Sequence, residues 1–185
     1  RRIVQDKRYF FKIKPGLWAL NSHREKVLKS LNIEEKKKLN FDEEFNHSYY
    51  QGLLVELGNI QGFETFVPNQ DKNKKFLQNS LNDLTSLKEI YKFTYDDIIK
   101  RAKTIDVIWF NSNKFPQSFF EIEHSSDFNN SFLKMLELRY FYADFNIVAD
   151  INRFREFEKK ISNSTFKELK NRVKFISYDK LSDYH

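Results

Sequence analysis

The sequence predicts an α/β domain, a mixed sheet flanked by helices, preceded by a small segment built on a β-hairpin. Three observations carry that prediction. Short runs rich in β-branched and aromatic residues alternate with longer stretches whose apolar residues recur at helical spacing, the pattern of strands laid against helices. With 185 residues, 40% of them hydrophobic and 17% aromatic, the chain can fill one sizeable core and a small appendage. The excess positive charge is confined to one end: residues 1–40 carry 12 Lys/Arg against 4 Asp/Glu, and the rest carry 20 against 22. A basic N-terminal segment facing a polyanion and a nearly neutral body are implied, although a run such as Lys36-Lys37-Lys38 is equally a solvated helix face.

Each element follows in order. Residues 8–20 read as strand, turn and strand, with Pro15-Gly16 as the breaker. Residues 22–38, with Val27, Leu28, Leu31 and Ile33 among charges, read as one or two connecting helices, and the polar, acidic stretch 40–46 reads as a linker. Two domains, 1–40 and 47–185, are therefore expected. Ser48 is placed to cap a helix carrying Tyr49, Leu53, Leu54 and Leu57, which ends around Gly58 to Gly62. Residues 63–68 form a first strand, 69–75 a polar turn, and 76–104 an insertion of one or two helices, one of them starting at Thr94 to Asp97. Strands over 105–110 and 119–124 come next. Then follow a helix over 129–143 with Phe132, Met135, Leu136, Tyr140 and Ala143 on one face, a strand over 145–151, a helix over 154–171 and a last strand over 173–178.

Several function classes are excluded. No apolar stretch approaches the roughly 20 residues of a membrane span and no signal-peptide pattern opens the chain, so a cytoplasmic protein is expected. The first residue is Arg1 rather than methionine, as in a piece of a longer protein. There is no cysteine, hence no disulfide and no thiolate metal site, and with only His23, His47, His124 and His185 any metal is expected to rest on oxygens. The four glycines, at 16, 52, 58 and 62, form no phosphate-cradling loop, dinucleotide fingerprint or nucleophile elbow.

The chemistry concentrates in the second and third strands. Side chains alternate along a strand, so Glu121 and Glu123 share one face while Phe120, Ile122 and His124 take the other. If the two runs pair, Asp106 lies beside them, and three converging acids repel unless a hard divalent cation neutralises them. His124, turned away from the acids, reads as a packed or hydrogen-bonded histidine. Ser125 and Ser126 either cap the next helix or touch a phosphate. Asp71 either lies near the cleft or is explained by the chemistry of its polar turn alone, the simpler account, and Asp150 serves a strand-to-helix junction.

An acid at the start of the second strand and Glu-x-Glu on the third, over residues 47–180, resemble the PD-(D/E)xK nucleases, the fold of most type II restriction endonucleases. The hairpin ending in Gly16-Leu17-Trp18-Ala19-Leu20 resembles the wing of the winged helix-turn-helix modules attached to some of them, or is a plain hairpin. The resemblance implies a restriction-type DNA endonuclease with Mg²⁺ as cofactor, Mn²⁺ as its substitute, double-stranded DNA as partner and a homodimer as the working form. It places Asp106 and Glu121 as metal-binding carboxylates, the carbonyl of Ile122 as a third ligand, and Glu123 where most members have lysine, as a general base or further ligand. Glu56, on the helix before the first strand, is either an accessory acid or a solvent-facing charge. The alternative function on the same fold is a non-catalytic DNA-binding or assembly module.

Overall fold

The computed structural model describes residues 9–14, 17–24, 26–27 and 35–185. Two compact units divide the chain, Arg1–Asn46 and His47–His185. In the first, β1 (Phe10–Lys14) and β2 (Leu17–Leu20) pair antiparallel, Phe10 opposite Leu20 and Lys12 opposite Trp18, with a register shift between Lys12 and Lys14. A 3₁₀ turn, Asn21–His23, follows. The expected Pro15-Gly16 turn, and residues 28–34 of the expected connecting helix, lie outside the described residues.

Helix α1 (Glu35–Ile60) takes in the stretch expected to be a linker. Residues 40–46 hold no glycine or proline, so their polarity gives the helix no reason to stop. Ser48 is therefore interior to the helix, and its hydroxyl donates to the Lys75 carbonyl at 3.1 Å instead of capping. At the far end Gly62 turns the chain with φ of +81°, a conformation that only glycine adopts without strain.

The second unit is built on a five-stranded sheet in the order β3 (Glu64–Phe66), β6 (Val107–Phe110), β7 (Pro116–Glu123), β8 (Asp144–Ala149), β9 (Val173–Ser177). Pairing is antiparallel from β3 through β7 and parallel from β7 through β9, the mixed sheet that the alternation of elements predicts. Between β3 and β6 lie a two-residue-strand hairpin, β4 (Lys75–Phe76) with β5 (Asn79–Ser80), and two short helices, α2 (Leu81–Leu84) and α3 (Asp96–Ala102). Ser80 and Asp83 close a capping box on α2.

Both faces of the sheet are covered. On one, Val107, Trp109, Phe120, Ile122 and Val148 pack against Leu53, Leu54 and Leu57 of α1 and against α6 (Tyr178–Tyr184), a helix that the sequence reading lacks. Gly58 lets α1 approach: a Cβ there would meet Trp109 Nε1 at 2.6 Å, and that indole donates to the Leu54 carbonyl at 3.0 Å. On the other face Ile108, Phe119, Phe145 and Ile147 pack against Phe128, Phe132 and Met135 of α4 (Phe128–Glu137) and Phe157 of α5 (Phe154–Ile161).

Helices α4 and α5 are shorter than their apolar spacing predicts. Tyr140, assigned to the buried face of a longer α4, is 81% exposed. The chain leaves the helix after Glu137, and the guanidinium of Arg172 donates to the carbonyls of Arg139, Phe141 and Ala143, satisfying groups that further helix would have used. Past α5 the chain forms a 3₁₀ turn, Ser164–Phe166, that sends Phe166 and Leu169 into the core.

Candidate active site

Adjacent strands of unequal length create the site. Residue 107 is the first of β6 and pairs with Phe120, so β7 runs beyond the end of its neighbour. The N–H of Ile122 points into that gap, where the Asp106 carboxylate accepts it through Oδ2 at 2.7 Å. Asp106 thus completes the ladder with its side chain and is fixed in the plane of the sheet, reachable from both faces.

On the α4 face lie the two glutamates. Glu121 and Glu123 are 2% and 5% exposed, and their shared direction is shown by Ser131, whose hydroxyl donates to Glu121 Oε2 at 2.8 Å and to Glu123 Oε1. Ser126 also donates to Glu123 Oε2, while the helix cap that Ser125 and Ser126 were candidates for is taken by Asp127, which accepts from the N–H of Asn129. The ammonium of Lys134 reaches both oxygens of Glu121, at 3.0 and 2.9 Å, and the carbonyl of Thr104 at 2.8 Å. Burial, then the charge of Asp106, push the Glu121 carboxyl up to about 8, against the opposing pull of Lys134 and Ser131. The main chain of Glu123 is held as well, its carbonyl accepting from Arg153 at 3.2 Å and from the Tyr178 hydroxyl at 3.3 Å.

On the α1 face, His47 Nε2 stands 3.5 Å from Asp106 Oδ1. One turn on, the Gln51 amide donates to Asp71 Oδ2 at 2.8 Å and to the Asp106 carbonyl at 3.1 Å. Lys74 pairs with Asp71 Oδ1 at 2.8 Å. Burial by itself would lower the His47 imidazole, but the hydrogen bond and charge of Asp106, with Asp71 behind it, raise it above its ordinary value. Among the described residues, His47, Asp71 and Asp106 are the group of side chains spaced to hold a metal ion. The sequence points to a metal resting on oxygens, and the group so spaced contains one imidazole beside two carboxylates.

His124 stacks on Tyr178, which in turn stacks on Tyr50 at 3.9 Å, and it takes no part in the acid cluster. Asp150 caps the turn after β8 by accepting from the N–H of Asn152. Glu56 pairs with His185 Nε2 at 2.5 Å, nine residues and half a helical circuit from His47. Sequence reasoning missed His47 and Lys134. Their signals were an i,i+4 pair of polar side chains, His47 and Gln51, on an otherwise apolar helix face, and a Ser131-x-x-Lys134 spacing on the helix facing the glutamates.

A mixed sheet between helix layers, with acids meeting where two adjacent strands end, is compatible with a restriction-endonuclease-like fold. The chain belongs to the family of the C-terminal domain of the type II restriction enzyme NmeDI, whose model matches residues 19–185. The type II restriction enzyme NmeDI of Neisseria meningitidis serogroup C is 24% identical over 107 residues, which cover 55% of this chain and 30% of that enzyme. The chain thus matches under a third of its curated relative's length. No solved structure matches it. No helix among the described residues is long and apolar enough to cross a membrane.

Proposed function

We propose that this domain is a divalent-metal-dependent DNA endonuclease of the restriction type, with Asp106, Glu121 and Glu123 as its catalytic acids. The observation that carries the reading is the convergence of Asp106 and Glu121, both buried, at the end of two paired strands, with Glu121 held well above the usual carboxylate range. Such an arrangement is unfavourable by itself and is relieved by a cation. Asp106, Glu121 and the carbonyl of Ile122 would hold it; that carbonyl points to the same side as the N–H bonded to Asp106, as both do in any strand residue. Mg²⁺, or Mn²⁺ in its place, would supply charge neutralisation at the phosphoryl oxygens and a lowered water pKa.

The remaining chemistry falls to this chain's own groups. Glu123, oriented by Ser126 and Ser131, accepts a proton from the attacking water. The strand offers no lysine at this position, and Lys134, entering from α4, brings the positive charge to the edge of Glu121 instead. Asp106 and Glu121 act on the phosphate only through the cation they would hold, against which its oxygens would be set. Arg153 and Tyr178, by holding the Glu123 main chain, are positioning residues. On α1 the accessory place falls to His47 and Gln51, which face Asp106, rather than to Glu56. The β1–β2 hairpin serves as the wing of a DNA-recognition module, and a homodimer brings one site to each strand of the duplex.

The test is cleavage of mixed-sequence plasmid DNA with Mg²⁺ or Mn²⁺ against an EDTA control, beside Asp106→Ala and Glu123→Ala. Metal-dependent cutting lost in both variants is expected. If the folded protein binds DNA yet neither cuts modified or unmodified plasmid nor binds metal, the domain is a binding or assembly module on the same fold.

A further inference from the structure

The acids gather at one end of the sheet, and the opposite end carries a different chemistry. Strand β8 runs from Asp144 to Ala149, which pairs with Glu123, so its two ends lie about 16 Å apart at about 3.3 Å per residue. The loop over residues 139–143 leads into β8. Its central residue, Phe141, turns inward with its ring 5.2 Å from that of Phe93, while Tyr140 and Tyr142 on either side face solvent, 81% and 103% exposed. Arg172 fixes the backbone beneath them by donating to the carbonyls of Arg139, Phe141 and Ala143, and its guanidinium lies over the Phe145 ring at 4.8 Å. Two rings are thus held outward on an anchored loop, where they add little burial to the fold.

Beside the rings opens a cavity of about 500 Å³, lined by the same loop and by Gln117, Asp144, Arg172 and Lys174. That volume falls in the range of small-ligand pockets. The charge of its wall is one-sided, with the cations Arg139, Arg172 and Lys174 against the single acid Asp144. Two of the cations have carboxylate partners, Arg139 in Glu168 at 2.8 Å and Lys174 in Asp144 at 2.6 Å. Arg172 differs. Its hydrogen bonds go to neutral carbonyls, which place its charge without cancelling it, and they use three of its five N–H groups. A half-buried guanidinium with donors to spare on the wall of a cavity suits an anion such as phosphate.

We propose that this cavity binds an unpaired nucleotide of a single-stranded nucleic acid, with its phosphate on Arg172 and Lys174 and its base stacked on Tyr140 or Tyr142. The pair of Lys174 with Asp144 is exposed on both partners and therefore weak, so the ammonium is free to turn to a phosphate. Tyr140 carries the Arg139 guanidinium 4.3 Å from its ring centre, which leaves its other face to a base. Two outward rings two residues apart offer stacking to successive bases, and only an unpaired strand presents the faces of successive bases. This end of the sheet lies a strand's length from the acids, so the inference does not depend on the nuclease reading.

The experiment is titration of the full chain, in EDTA, into a deoxyadenosine hexamer carrying one 2-aminopurine, read by anisotropy and by the quenching that stacking produces. Saturable binding with quenching is expected. Tyr142→Ala, at a fully exposed position, should weaken it by at least about fivefold, the lower end for losing one base–aromatic stack, and reduce the quenching. Lys174→Gln should lower the dependence of log affinity on log salt by about 0.7, the value for one phosphate contact on a single strand. Asp144→Asn, which frees the ammonium and removes the acid, should tighten binding. Failure of the hexamer to bind overturns the inference, as does binding that Tyr142→Ala and Asp144→Asn both leave unchanged. Equal affinity for free deoxyadenosine monophosphate would overturn the assignment to a strand. Self-association that Tyr142→Ala abolishes, without oligonucleotide binding, would make this face a contact between copies of the chain instead. No metal is present in the assay, so its outcome and that of plasmid cleavage are read separately.

Discussion

The two sides of Asp106 hold negative charge in different ways. On the α4 side two glutamates are buried with one ammonium and two serine hydroxyls, and Glu121 is driven towards its neutral form. On the α1 side Asp71 is satisfied by Lys74 and Gln51, and the imidazole of His47 is drawn towards its charged form by Asp106. The first arrangement stores unfavourable electrostatics and the second relieves it. Each side carries one lysine ammonium, but only at Glu121 does burial, with the charge of Asp106, outweigh it.

The largest effect is expected from Asp106→Asn, which acts on both sides. Plasmid cleavage should fall by about a hundred- to a thousandfold, the range for losing a principal electrostatic contributor, and Mn²⁺ binding should weaken. Thermal unfolding should change by no more than about 1–2 kcal/mol, because the asparagine oxygen can still accept the Ile122 N–H. Next is Lys134→Met, which leaves Glu121 without its cation. A destabilisation of about 1–3 kcal/mol is expected in chemical denaturation, larger at pH 9 than at pH 6 because Glu121 is ionised only above about 8. Adding Glu121→Gln should recover part of that loss, and a strictly additive double mutant would show the two groups to be uncoupled.

A third expectation separates the sides by pH. Folded Glu121 keeps its proton up to about 8, whereas the unfolded chain releases it near the ordinary 4.5. Between those values the folded state binds more protons, so metal-free stability should fall as pH rises from about 4.5 to about 8. Glu121→Gln should flatten this slope, and Mg²⁺ should stabilise the wild type increasingly over the same range. The smallest effect is assigned to Glu56→Gln. Its pair with His185 is about a third exposed on both partners, so less than about 1 kcal/mol of stability and no cleavage should be lost.

Alternation along one strand made Glu121 and Glu123 legible as a pair in the sequence, and the adjacency of two apolar runs brought Asp106 to them. Those inferences need only local periodicity. Lys134 and His47 were not legible, because each reaches the acids from a helix whose rotation is set by its tertiary packing on the sheet rather than by local sequence. The linker expected over residues 40–46 failed for a related reason: polarity was read as a break where no residue there breaks a helix. The overlong α4 failed because Arg172, 33 residues beyond Arg139, supplies partners for carbonyls that local reasoning leaves inside a helix.

The bond from the Ile122 amide to Asp106 also makes that amide a reporter. Its proton lies on the carboxylate through which both faces communicate, so its nuclear magnetic resonance frequency will move whenever that carboxylate changes partner. One backbone signal, followed while Mg²⁺, Mn²⁺ or DNA is added, would time events on both sides of the sheet without a label or a substitution.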